Sequence, residues 1–394
     1  MKTEKLRQRL FVLADFAFRI IPMKKQVLFV CFSGRQYGDN TKALANYIHT
    51  QFPDVPLYWV VDKKETTTKI PSYFKTVLYN SIRYAWVKNR SRVIVENGAG
   101  IMIMPLDGFK SIFKGIIKKN NQMEVATWHG CPLKKIGGDI PNSPYTQENF
   151  ATSASVLVAS SDYERSIFER AFFNKIPVDV LGYARNDILF SKPDGYDQSE
   201  LRRALKIPLG KKIILYAPTY RDNSIEMSGI YQLQSFDIER LLHAFSERFG
   251  GEWVFVYRFH NLVTNDDRIK KYPKSDNMID GSISDDMADY LSLSDVLITD
   301  YSGSLFDVAS TEIKCFLYIP DYNEYVSNRG LYLDISTTPY PKAYSFDQLL
   351  TSIKQFDQLE YDKKVQAFSE YLKIHNDGCA CKRITDKYIS KYLK

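Results

Sequence analysis

Short apolar runs recur along this chain, and most of them end in a polar loop that leads into a helical pattern. Residues 27–32, 57–61, 93–95, 125–128 and 156–159 read as strands in the first half, with helical spacing over 41–49 and 161–172. Residues 213–217, 253–257 and 297–299 repeat the arrangement in the second half. Such alternation specifies parallel α/β sheets, because parallel neighbours need a crossover and a helix supplies it. At 394 residues the chain exceeds what one core normally serves, so two domains of about 150–200 residues are expected. Periodicity loosens where Pro193, Gly195, Pro208 and Gly210 gather, which marks the linker. In doubly wound sheets ligands bind where strands end, so the loops leaving these runs should carry the chemistry.

The loop after 297–299 is the clearest. Asp300-Tyr301-Ser302-Gly303-Ser304 turns an apolar run into a helical one. Unpartnered N–H groups at such a turn, flanked by hydroxyls, can receive an anion, and a helix N-terminus contributes roughly 0.3–1 kcal/mol. That is too little for a site by itself, and the turn also reads as an ordinary serine-capped helix start. Two more strand ends add charge: 213–217 runs into Pro218-Thr219-Tyr220-Arg221-Asp222, and 253–257 into Arg258-Phe259-His260. In one parallel sheet Thr219, Arg221, Arg258, His260, Ser302 and Ser304 would share a crevice suited to a diphosphate. In the first half, Ser33-Gly34-Arg35-Gln36-Tyr37-Gly38-Asp39-Asn40 lacks G-x-G-x-x-G and reads as a structural turn rather than a dinucleotide site. Residues 125–128 end in His129-Gly130-Cys131-Pro132, a rigid and exposed setting in which both a general base and a hydrogen-bonded structural histidine remain open.

A net charge of +7 points to an anionic partner. Lysines and arginines are spread over both halves without an aromatic stripe, which argues against a nucleic-acid groove. Residues 1–25 read as a basic amphipathic helix ended by Pro22, and 109–119 repeat the pattern with Phe109, Ile112, Phe113, Ile116 and Ile117 among four lysines. Both suit an anionic membrane surface, the second more so; the alternative is two helices packed on their own domain. No apolar run approaches the ~18–20 residues that span a bilayer, and 10–21 lacks a leader's cleavage signal. Five scattered cysteines indicate a reducing compartment, with Cys379 and Cys381 lacking partners for a zinc site. Asp266-Asp267 and Asp285-Asp286 read as solvated turns, so no metal is expected.

Taken together, W-H-G-C-P-L-K-K-I-G (128–137), G-Y-A-R-N-D (182–187), Y-A-P-T-Y-R-D (216–222), R-F-H (258–260), T-D-Y-S-G-S-L-F-D (299–307), N-R-G-L-Y-L-D (328–334) and D-G-C-A-C-K-R-I (377–384) resemble the CDP-glycerol glycerophosphotransferase family of teichoic acid synthesis. The resemblance covers about residues 26–385. It implies a GT-B architecture: two Rossmann-like domains facing a cleft, with C-terminal helices crossing back to the first domain. The expected division is 1–25 for the helix, 26–192 for an acceptor and membrane-binding domain, 193–360 for a CDP-polyol-binding domain, and 361–394 for the returning helices. It further implies His129 and His260 as catalytic residues, and Thr219, Arg221, Arg258, Ser302, Gly303, Ser304, Arg185 and Asp187 as donor-binding residues, with no cofactor. The chain departs from the family at Gly303, where a second serine is common, and at Cys131, Asn261 and Cys381.

The implied reaction is attack by an acceptor hydroxyl on the distal phosphorus of CDP-glycerol, releasing CMP, with a lipid-linked glycan as acceptor. It would take place at the cytoplasmic face of the bacterial plasma membrane, on a monotopic protein. The alternatives are a ribitol-phosphate transferase using CDP-ribitol, a GT-B glycosyltransferase using a sugar nucleotide, and a catalytically silent membrane-bound scaffold. Oligomeric state, acceptor sugar and single addition against polymerisation are not encoded in these motifs.

Overall fold

The structure, a computed structural model, describes residues 2–63, 70–99, 119–148, 150, 152–193, 195–219, 229–259 and 276–394. The chain divides into two compact units: residues 1–129, 137–191 and 375–394 in the first, and 130–136 with 192–374 in the second. The second unit therefore extends past the expected boundary at 360, and the helix Gln358–Leu372 belongs to it.

Among the described residues the first unit is built on seven parallel strands: β1 (Lys24–Val30), β2 (Leu57–Val61), β3 (Phe74–Leu78), β4 (Ser91–Glu96), β5 (Met123–Ala126), β6 (Val156–Ala159) and β7 (Val178–Val180). Their spatial order is β3-β2-β1-β4-β5-β6-β7, and Val27 lies opposite both Leu57 and Val93. Alternation along each strand sorts the core into two layers. Val27, Phe29, Val93 and Val95 face one side, packed with Leu44 and Ile48 and with Ile384, Ile389 and Leu393 near the C-terminus. Leu28, Val30 and Ile94 face the other, against Phe11, Val12, Tyr84 and Ala85. Both faces being covered is why these strands read as continuous apolar runs.

Four helices support the site or its surroundings: α1 (Lys2–Ala17), α2 (Asp39–Gln51), α3 (Ile82–Arg90) and α4 (Asp162–Ala171). Ser81 caps α3 by accepting from Tyr84 N–H, and Ser161 caps α4 by accepting from Glu164 N–H. α1 is shorter than residues 1–25, because the chain leaves a short 3-10 turn at Ile20 and enters β1 at Lys24. It is pinned to α3 through Asp15, which is buried and accepts from Lys88 Nζ at 3.0 Å and Asn89 Nδ2 at 2.9 Å. The C-terminal segment joins the same unit. His375 N–H donates to the Ser160 carbonyl at 2.7 Å, and the Asp187 carboxylate accepts from Ala380 and Cys381 N–H at 2.9 and 2.7 Å.

The second unit carries β8 (Lys212–Tyr216), β9 (Trp253–Tyr257), β10 (Met278–Asp280), β11 (Val296–Thr299), β12 (Lys314–Tyr318) and β13 (Lys342–Ala343), in the order β10-β9-β8-β11-β12-β13. Every pairing is parallel. Both sheets thus reverse strand order once, between β1 and β4 and between β8 and β11, and such a reversal opens a crevice for ligands.

Candidate functional site

At the β1/β4 reversal the backbone is held in conformations that side chains seldom adopt. Phe32 (φ 44°), Ser33 (φ 58°), Asp39 (φ 62°) and Trp128 (φ 51°) all lie in the left-handed region, two of them bulky aromatics. Each such residue costs of order 1–3 kcal/mol and persists where its surroundings over-determine it. Those surroundings are polar. Asn97, directly after β4, accepts from Phe32 N–H at 2.8 Å through Oδ1 and donates to Asp39 Oδ2 at 3.2 Å through Nδ2. Asn40 donates to the Thr127 and Trp128 carbonyls at 3.3 Å and accepts from Arg185 N–H at 3.1 Å.

His129 leaves this framework exposed to solvent. Its ring lies on Trp128 with centroids 4.3 Å apart, and Phe32 approaches at 5.6 Å. Nδ1 sits 3.1 Å from the Asn97 carbonyl oxygen. A carbonyl only accepts, so Nδ1 carries the proton in the neutral ring and the basic lone pair is on Nε2. The His129 carbonyl in turn accepts from Arg185 Nη1 at 2.8 Å, and the same nitrogen reaches Asp39 Oδ1 at 3.0 Å. An imidazole with its tautomer and main chain both fixed is equipped to take a proton at Nε2.

At the β8/β11 reversal the organising group is Asp300. Its buried Oδ1 accepts from Thr219 N–H at 2.8 Å and from Tyr301 N–H at 2.6 Å, tying the loop after β8 to the turn after β11. Ser302 Oγ accepts from Ser304 N–H at 3.3 Å and from Ser304 Oγ at 3.0 Å. With two donors on its oxygen, the half-buried Ser302 hydroxyl is set to donate, whereas Ser304 is buried. The helix after this turn, Ser304–Asp307, is a single turn, so its dipole adds less than the sequence pattern suggested. Gly303 has a steric role: a Cβ there would lie 2.7 Å from the Cys131 carbonyl oxygen, as residues 130–136 pass through this unit.

Several of the expected donor-binding residues make hydrogen bonds within the protein. Arg258 is buried, and its guanidinium donates to the carbonyls of Gly281 at 2.8 Å, Ser284 at 2.5 Å and Asp285 at 3.1 Å, lying over the Tyr290 ring. A buried guanidinium must satisfy its donors, and these carbonyls are within reach, so Arg258 organises the 281–285 loop. Arg185 and Asp187 belong to the first unit, where one holds the His129 carbonyl and the other anchors the C-terminal segment. Asp285 and Asp286 are not simply solvated: Asp286 is buried and caps the helix Met287–Leu291. Arg221, His260, Asn261, Asp266, Asp267 and residues 109–118 lie outside the described residues.

Asp39, Asn40, Asn97 and Asp300 carry much of this geometry, and sequence reasoning gives them no role. The loop 33–40 and the E-N-G at 96–98 are visible as polar exits from strands, yet only the fold shows that they meet. Among the described residues no group of three or more His, Cys, Asp or Glu could hold a metal ion, and no helix is long and apolar enough to cross a membrane. No disulfide joins any of the five cysteines.

Comparison with known proteins gives this geometry a family. Residues 13–390 match the family described as CDP-Glycerol:Poly(glycerophosphate) glycerophosphotransferase. A teichoic acid glycerol-phosphate transferase of Staphylococcus aureus is 31% identical over 381 residues, 92% of each protein. A teichoic acid poly(glycerol phosphate) polymerase of Bacillus spizizenii is 28% identical over 403 residues, 98% of each. The corresponding Bacillus subtilis polymerase is 30% identical, but the chain spans only 48% of its length. A solved structure of the wall teichoic acid polymerase TagF, a histidine-to-asparagine variant soaked with CDPG, superimposes with a TM-score of 0.77 at 26% identity, covering 98% of this chain and 94% of that one. The two parallel sheets are thus those of a GT-B-like fold, and the chain belongs to the CDP-glycerol:poly(glycerophosphate) glycerophosphotransferase family.

Proposed function

We propose that this protein transfers glycerol phosphate from CDP-glycerol to a hydroxyl of a lipid-linked teichoic acid precursor. The observation that carries the reading is His129: an exposed imidazole at the end of a Rossmann strand with Nδ1 held by a backbone carbonyl. The acceptor oxygen forms a bond to the distal phosphorus, its proton passes to His129 Nε2, and the phosphoanhydride bond breaks to release CMP. Such a base is worth about 10²–10⁴-fold. The β8/β11 loops hold the diphosphate, through the Ser302 hydroxyl and adjacent N–H groups. Arg221 and His260 are assigned to the same charge on the strength of the family resemblance, and metal chemistry is not required, so turnover should resist EDTA.

Glycerol is favoured over ribitol because the relatives of higher identity, at 31, 30 and 28%, carry glycerol phosphate in their names, whereas those named for ribitol phosphate stand at 25–26%.

The protein works at an anionic membrane surface, the cytoplasmic face of the bacterial plasma membrane. α1 supports this. One side packs on α3, while Leu6, Leu10, Leu13 and Phe16, together with Ile20 just beyond, are 44–90% exposed beside Arg9. A helix with one face buried and a second apolar stripe in water, flanked by cations, matches an interfacial anchor.

The test is a matrix of CDP-glycerol, CDP-ribitol and UDP-sugars against lipid-linked acceptors on anionic liposomes, reading CMP or UDP. CMP release with CDP-glycerol, abolished in His129→Gln, is expected. Preference for CDP-ribitol, release of UDP, or no turnover above background would each replace the proposal with one of its rivals.

A further inference from the structure

We propose that Asp39 is a positioning residue for the reaction, holding His129 in its Nδ1–H tautomer through two separate arms. This rests on His129 being the base. One arm runs from Asp39 Oδ2 to Asn97 Nδ2, and the Asn97 carbonyl is the group that engages His129 Nδ1. The other runs from Asp39 Oδ1 to Arg185 Nη1, which holds the His129 main-chain carbonyl. A single carboxylate therefore ties down both the ring and the backbone of one histidine.

Three features separate this from an incidental surface ion pair. The Asp39 and Arg185 side chains are only 10% and 11% exposed, so the pair is poorly screened by solvent. Asp39 adopts φ 62°, a conformation glycine would take with less strain, yet glycine could supply neither arm. Asn97 Oδ1 also fixes Phe32 N–H, so the asparagine is oriented from both ends of its amide. A backbone carbonyl cannot be replaced by mutation, which makes Asp39 and Arg185 the accessible handles on the ring.

The test combines steady-state kinetics with long-range ¹H–¹⁵N spectra of histidine-labelled protein. The chain has five histidines, and the His129→Gln spectrum identifies the signal of interest. Asp39→Asn should convert the Nδ1–H pattern of His129 into a tautomer mixture, lower kcat by about 10²-fold with KM little changed, and shift the pH profile of kcat. Asp39→Glu should recover part of both. Because Asp39→Asn strands a buried guanidinium at some risk to folding, the Asp39→Asn/Arg185→Gln double variant removes both charges and should show the same loss of tautomer. An unchanged His129 spectrum in both variants overturns the inference, as does a fall in kcat explained entirely by a lower melting temperature. If His129→Gln itself remains active, the base assignment fails, while the spectra of the Asp39 variants still decide whether Asp39 positions the ring.

Discussion

Glu164 offers a quantitative check on the architecture around the first unit. It sits at the third residue of α4 and is fully buried, accepting from Ser160 N–H at 2.5 Å through one oxygen and from the Tyr183 hydroxyl through the other. Burial pushes its carboxyl up from 4.5 to about 7, against the lowering pull of Ser160, Tyr183 and Arg185. In the unfolded chain it titrates near 4.5, so between that pH and about 7 the folded state binds more protons. Stability then falls as pH rises through this window and levels off above it. At about 1.4 kcal/mol per unit the window amounts to about 3 kcal/mol. Glu164→Gln imitates the protonated side chain at every pH. The stability difference between wild type and variant should therefore swing by about 3 kcal/mol in favour of the variant from pH 4.5 to 7, and stay constant beyond. Urea unfolding followed by tryptophan fluorescence reports the right region, because Trp59, Trp86 and Trp128 lie in the first unit and Trp253 alone in the second. Parallel pH profiles for the two proteins would refute the reasoning.

Gly303→Ala sets a methyl 2.7 Å from the Cys131 carbonyl oxygen, and thermal melts should register an overpacking loss of about 1–3 kcal/mol; an unchanged melting temperature would contradict the close approach. Arg258→Gln deprives the carbonyls of Gly281, Ser284 and Asp285 of charged donors and should lower stability by about 3 kcal/mol, whereas a direct diphosphate ligand would raise the donor KM without a change in melting. Leu10→Glu/Leu13→Glu on α1 should leave folding within about 0.5 kcal/mol but weaken flotation with anionic liposomes by about 10²-fold or more; equal binding would exclude α1 as the anchor.

Much of this fold is legible in residue order. Residues 57–61, 156–159 and 253–257 coincide with β2, β6 and β9, because strands buried on both faces leave uninterrupted apolar runs. The strands that the pattern misses include the edge members β3, β7, β10 and β13, where partly buried residues dilute that signal. β12 is central and carries the run Cys315-Phe316-Leu317-Tyr318, so its absence from the expected strands has no such physical excuse. Motif order was enough to identify the family, since it depends on residue types at intervals and not on contacts. Which groups do the local work depended on tertiary structure. Arg258 reads as an anion ligand in the sequence, and only the fold shows its buried guanidinium donating to three loop carbonyls. Asp39 and Asn97, 58 positions apart, become hydrogen-bond partners only because β1 and β4 are neighbours in the sheet. Sequence by itself determined strand, helix and chemistry of the loops, which are local properties. Where each side chain spends its hydrogen bonds was decided by the order of strands, because that order brings distant loops within the roughly 3 Å over which a hydrogen bond acts.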